Sequence, residues 1–69
     1  MKSAKAIGNQ MKDLRTARGV SRNQLSTAIG ASESAIAMYE AGERIPRDEM
    51  KCKIADYFGV SIESLFFAN

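Results

Sequence analysis

Apolar residues recur along this chain at helical spacing. Ile7, Met11 and Leu14 fall at i, i+4 and i+7, which predicts a helix over about residues 6–18. Gly19 follows and can end it in the left-handed conformation. Leu25, Ala28 and Ile29 mark the inward face of a second helix. Ser21 is a suitable N-cap for it and Gln24 completes a capping box. Val20 and Leu25 hold the two positions of a hydrophobic staple. Gly30 stops this helix after about eight residues. Ser32 caps a third helix with the stripe Ala35, Ile36 and Tyr39, ended by Gly42. Only Gly30, Ala31 and Ser32 separate the two short helices, which is the sequence form of a helix-turn-helix.

A loop over 42–47 leads to a fourth helix over about 48–58, with Asp48 and Glu49 at its positive end. Met50, Ile54 and Phe58 repeat every four residues, with Cys52 and Ala55 beside them, so Cys52 reads as a small buried thiol. Ser61 caps a last short helix over about 62–67, with Leu65 turned inward. No Val/Ile/Thr-rich alternating run is present, so the pattern predicts an all-α, five-helix domain.

Composition narrows the function classes. At 69 residues the chain is one domain, and so short a chain buries only about 60% of its unfolded surface. One Cys and no His exclude a disulfide framework within the monomer, a Cys/His zinc site and the usual catalytic triad. An enzyme is not expected, and nothing points to a cofactor, a metal or a small-molecule ligand. No run approaches the length of about 18 apolar residues that spans a membrane. The N-terminus lacks the apolar stretch of a secretory signal, so a reduced, cytoplasmic protein is the expectation. Net charge is only +2, but residues 1–30 carry six basic groups against Asp13 alone, and residues 31–69 carry four basic against seven acidic. The basic segment suggests a polyanionic partner; a solvated helix surface is the plainer account.

The stretch from Val20 to Pro46 resembles the Cro/C1-type (Xre, phage-repressor-like) helix-turn-helix DNA-binding proteins. Leu25, Ile29, Gly30, Ser32, Ile36, Tyr39, Glu40, Gly42, Arg44 and Pro46 stand at that family's spacing. The segment from Ile54 to Phe66 resembles its closing helices. The resemblance implies a compact, lambda-repressor-like domain over 1–69, with 1–5 as a flexible arm and a recognition helix over about 32–41. It implies a double-stranded DNA partner read in the major groove. There are departures: Ser26 stands where Ala is common, Arg22 where Gln is favoured, and Ala41 and Glu43 where Asn or Lys is frequent.

Within the resemblance, Ser32, Glu33, Ser34, Ala37 and Met38 occupy the positions that meet base edges. Ser32 is an N-cap first, with a base or phosphate contact as a further role. Glu33 could accept from cytosine N4, or simply favour the positive helix end. Met38 could touch a thymine methyl, or fill a core or dimer surface. Arg22, with Asn23 beside it, stands where the family reaches a phosphate, and Arg can do so with its planar fork. Arg44 and Arg47 flank Pro46 where the family holds the sugar-phosphate backbone. Lys2 and Lys5 could form an arm on DNA or a solubilising tail.

Arg15 and Glu40 read as a structural ion pair. The family pairs these positions, and each residue also lies at the edge of an apolar stripe expected to pack on the other. The expected function is a sequence-specific transcriptional regulator, a phage- or prophage-type repressor binding a two-fold operator as a homodimer. Phe66 and Phe67 are adjacent on a short helix and cannot both face the core, so they are the candidates for the dimer interface. The alternative is an antitoxin or adaptor of the same fold whose main role is to bind a partner protein.

Overall fold

The computed structural model describes residues 1–68 and is helical throughout, with no strand among the described residues. Its elements are α1 (Ala4–Ala17), α2 (Arg22–Ile29), α3 (Glu33–Glu40), α4 (Asp48–Phe58) and a single π-type turn at Glu63–Phe67. No described helix is long and apolar enough to cross a membrane.

Side-chain oxygens open most of these elements. Ser3 accepts from the Ala6 N–H, Ser32 from Ala35 and Ser61 from Ser64. At α2 the capping box is complete: Ser21 Oγ accepts from Gln24 N–H at 3.0 Å and Gln24 Oε1 accepts from Ser21 N–H at 2.9 Å. Arg47 gives α4 no side-chain cap, and Asp48 and Glu49 offset the exposed N–H groups of its first turn with their charge. Gly30 ends α2 at φ 73°, a conformation cheap only for glycine, and this turns the chain into α3. Ser26 Oγ donates to the Ala31 carbonyl across that turn, so the hydroxyl that departs from the family's common Ala satisfies a turn carbonyl.

The core is one cluster. Ile7 and Met11 of α1 meet Ile36 and Tyr39 of α3, Leu25 and Ile29 of α2, Ile54 and Phe58 of α4, and Leu65 and Phe66 of the π turn. Each fully buried aliphatic or aromatic side chain contributes about 1.5–3 kcal/mol. With only ten in the cluster, the fold has little to lose.

The structure corrects several expectations. The N-terminus is not a free arm. Lys2 N–H donates to the Phe66 carbonyl at 2.9 Å, and its Nζ donates to Gln10 Oε1 and to the Ser64 carbonyl, both at 2.6 Å. With Ser3 as cap, α1 therefore starts at Ala4 rather than near residue 6, and Arg18 is its C-cap. Ala28 is exposed, leaving Leu25 and Ile29 as the buried residues of α2.

In α4 the buried stripe is Lys51, Ile54, Ala55 and Phe58, at i, i+3, i+4 and i+7. Cys52 is consequently exposed, not a buried thiol. The aliphatic stem of Lys51 packs inward while its ammonium reaches Asp48 Oδ1 at 3.1 Å and lies over the Phe67 ring at 5.9 Å.

Phe66 is fully buried and belongs to the core, so it cannot serve a dimer interface; Phe67 is 41% exposed. The wide turn explains the pair. Ala68 N–H closes on the Glu63 carbonyl at 2.7 Å, five residues back, which puts Leu65 and Phe66 side by side facing inward and Phe67 outward.

Candidate nucleic-acid interface

The inner faces of α2 and α3 are spent on packing, which leaves the outward positions of α2 and of the start of α3 mostly polar. With Ile36 and Tyr39 of α3 buried, Ser32, Glu33 and Ser34 are left exposed and Ala37 and Met38 half-buried on the other side. The N-termini of the two helices are joined through side chains: Asn23 Nδ2 donates to Glu33 Oε2 at 3.1 Å. That bond holds one carboxylate oxygen of Glu33, and the other takes no hydrogen bond from the described residues.

Behind this face lies a three-residue charged group. Arg15 Nε donates to Glu40 Oε2 at 2.6 Å and its Nη2 donates to Oε1 at 3.1 Å, a bidentate pair joining α1 to α3. Arg15 Nη1 also donates to the Val20 carbonyl at 2.9 Å, tying in the loop before α2. The hydrogen bonds to Glu40 raise the Arg15 pKa above its ordinary value; burial opposes them and the Glu40 charge assists. Arg22 joins the same carboxylate, its Nε donating to Oε1 at 3.1 Å. Arg22 is therefore not merely a solvated charge or a free phosphate ligand.

Arg44 and Arg47 are exposed on either side of buried Pro46. They line a cleft of about 600 Å³ with Tyr39, Ile45, Glu49, Met50 and Lys53. Nothing in the sequence pattern sets Lys53 apart beyond its i+4 spacing from Glu49, to which its ammonium stands at 3.7 Å. It adds a third cation to the cleft wall. Gly8 is a second residue whose role the structure shows. It is buried in α1, and a Cβ built there would stand 2.6 Å from the Glu40 carbonyl oxygen and closer still to that of Tyr39. A glycine in the middle of an otherwise regular apolar stripe was the available signal. Arg18 is another. It donates Nη1 to the Phe58 carbonyl and lies 5.4 Å over the Phe58 ring, closing the C-terminal end of α4.

The candidate residues thus fall into separate groups. Arg22, Asn23, Ser32, Glu33, Ser34, Ala37 and Met38 belong to α2, α3 and the α3 cap, Arg44 and Arg47 lie on the following loop, and Phe67 stands apart beside Lys51.

Comparison with known proteins gives a consistent result. The family model described as helix-turn-helix (HTH_3) matches residues 11–65. The cryptic phage CTXphi transcriptional repressor RstR of Vibrio cholerae is 30% identical over 59 residues, covering 86% of this chain and 53% of the repressor. The chain thus spans about half the length of RstR. The uncharacterized HTH-type transcriptional regulator MJ0272 of Methanocaldococcus jannaschii is 33% identical over 58 residues, covering 84% of this chain and 88% of the regulator. Among solved structures, the restriction-modification controller protein C.AhdI from Aeromonas hydrophila superposes with a TM-score of 0.84. Its sequence is 27% identical, and the match covers 91% of this chain and 96% of that one.

Proposed function

This chain belongs to the helix-turn-helix family, and we infer that it is a DNA-binding transcriptional regulator that lays α3 in the major groove. The observation that carries the reading is the outer face of α3. It exposes Ser32, Glu33 and Ser34, is capped by Ser32, is braced to α2 through Asn23 and Glu33, and leads into the loop that carries exposed Arg44 and Arg47. A helix held this way offers side chains to base edges while the neighbouring guanidiniums meet the backbone. The likeness to a phage repressor favours repression as the sign of control.

Duplex affinity should fall steeply with salt, by a slope of about −0.9 for each phosphate neutralised. Arg44→Ala or Arg47→Ala should lower that slope by about one, weaken all sequences alike and leave the thermal transition in place. Titration of random and selected duplexes over a range of salt decides the matter. An affinity indifferent to salt sinks the reading. Glu33→Ala should shift the preferred base at one or two positions of a selected site, since a carboxylate with one oxygen fixed by Asn23 is a cytosine acceptor. An unchanged selected site would remove Glu33 from the readers.

Dimerisation belongs to the same reading. One α3 reaches few base pairs, and two copies about 34 Å apart would read half-sites roughly 10 base pairs apart. Phe67 and Tyr57 are the exposed aromatics among the described residues, and Phe67 is the candidate for the contact. Phe67→Asp should weaken binding to a two-fold site and leave the domain folded, whereas Phe66→Asp should unfold it, because Phe66 lies in the core. Sedimentation of the protein with duplex, for both variants, separates the outcomes; Phe67→Asp binding a two-fold site as tightly as wild type would exclude this surface.

A further inference from the structure

Glu40 holds two arginines, and only one of them is used up by the fold. The carboxylate ends α3 with its side chain 2% exposed. Arg15 takes it bidentately and places a further N–H on the Val20 carbonyl, so the Arg15 fork is filled from within. Arg22 spends only its Nε, on Oε1, and 43% of its side chain is open to solvent. Among the described residues no other acceptor takes a hydrogen bond from the Arg22 guanidinium. Two guanidiniums on one carboxylate leave one positive charge over. That surplus sits on the solvent side, at the Nη groups of Arg22.

We propose that Glu40 is a positioning residue for DNA binding: it grips Arg22 by Nε and leaves the two Nη groups for a phosphate of the duplex backbone. The inference rests on the DNA reading above and adds the means by which one contact is set. An unanchored surface arginine must lose rotamer freedom before it can hold a phosphate, and one already held by Nε has lost part of that freedom in folding. A carboxylate close to a phosphate site is ordinarily repulsive. Here it is buried behind Arg22 and already answered by two cations, so the field presented outward is positive. The same group locks α1 to α3, so the phosphate contact at the start of α2 is referenced to the helix that meets the bases. Lysine cannot replace arginine in this arrangement. Its ammonium is a point charge without a second edge, so it serves the carboxylate or the phosphate with no fixed geometry between them.

The test uses the full chain and a duplex that the wild-type protein selects from random sequence. Binding is measured over several salt concentrations for wild type, R22K, R22A, E40Q and E40Q/R22K, with a thermal melt of each. R22K keeps the charge and, at a half-exposed position, should stay folded. It should nonetheless bind about tenfold more weakly, close to R22A, the loss of one charge-assisted contact. E40Q should weaken binding although it removes a negative charge near DNA. In its background the change from Arg22 to Lys should cost clearly less than in wild type, because a neutral amide offers Arg22 at most one uncharged acceptor.

R22K that binds as wild type does shows that charge alone matters and overturns the proposal. A folded E40Q that binds more tightly shows that Glu40 masks Arg22 and overturns it too. If E40Q does not fold, R22K against R22A decides: equal losses support positioning, and R22K matching wild type refutes it. Wild-type protein that binds no duplex overturns the DNA reading and this inference with it.

Discussion

Glu40→Ala should abolish the cooperative thermal transition, or lower it so far that the domain is largely unfolded at 37 °C. The carboxylate is buried and answers two guanidiniums, so its removal strands Arg15 inside the protein with two N–H groups unpaired. Cutting one partner of a buried ion pair costs about 3–5 kcal/mol, because the other charge stays desolvated without compensation. A folded domain has about 5–15 kcal/mol in total, and a chain with so few core residues stands toward the low end. The shared carboxylate also ranks the partners. Arg15→Ala leaves Glu40 still bonded to Arg22 and should cost less than Glu40→Ala. Arg22→Ala removes a half-exposed group, leaves the Arg15 pair intact and should cost least. Melting curves of the three variants test the order. Glu40→Ala should lose DNA binding together with its transition, whereas Arg44→Ala should weaken binding and keep its transition. A Glu40→Ala protein with normal stability would mean that the pair is ornamental.

Local signals carried most of the fold into the sequence. The stripes Ile7–Met11, Leu25–Ile29 and Ile36–Tyr39, and the caps at Ser21 and Ser32, depend on residues a few positions apart, and their spacing can be read directly. What stayed hidden depends on distance or on side-chain length. Lys51 took an inward position that its charge argued against, because four methylenes can lie in the core while the ammonium turns out to Asp48. Cys52, apolar by composition, was displaced to the surface by the same rotation of α4. The bonds from Lys2 to Phe66 and Ser64 join the two ends of the domain across more than sixty positions, so no local pattern distinguishes a docked N-terminus from a free arm. Phe66 and Phe67 needed the wide turn to be sorted, and hydrophobicity alone ranks them equally.

In the candidate interface the residue types and their helix faces were legible. The partners were not: Asn23 meets Glu33 ten positions on, and Arg22 meets Glu40 eighteen positions on, through a turn whose angle only the packed core sets. Arg22 shows the consequence. From the sequence it is a cation at a helix start; in the structure it shares the carboxylate that joins α1 to α3.

Gly8→Ala should destabilise the domain by about 2 kcal/mol or more, against its own helix propensity. Gly8 lies inside α1, where alanine is intrinsically favoured over glycine by about 1 kcal/mol. In an isolated helix the substitution would stabilise. In the folded protein the added methyl meets backbone rather than a side chain that could swing away. It would stand 2.6 Å from the Glu40 carbonyl oxygen, 2.9 Å from the Glu40 carbonyl carbon, and closer still to the Tyr39 oxygen. No rotamer relieves such a contact, so α1 must move off the last turn of α3. Ile7 and Met11, fully packed on either side of Gly8, must move with it. Forcing extra volume into a packed interior costs about 1–3 kcal/mol and sometimes more, and here the displaced surface also carries the Arg15–Glu40 pair, whose 2.6 Å bond has no slack. The clash therefore outweighs the propensity. For a domain of this size each kcal/mol moves the melting temperature by about 4–8 °C, so the transition should fall by about 10 °C or more. Asn9→Ala, one position along on the exposed side, serves as the control. It adds no contact, should leave the transition unchanged or slightly raised, and separates the effect of the α1–α3 approach from that of helix propensity. A Gly8→Ala protein that melts at or above the wild-type temperature would show that α1 and α3 do not approach this closely in solution.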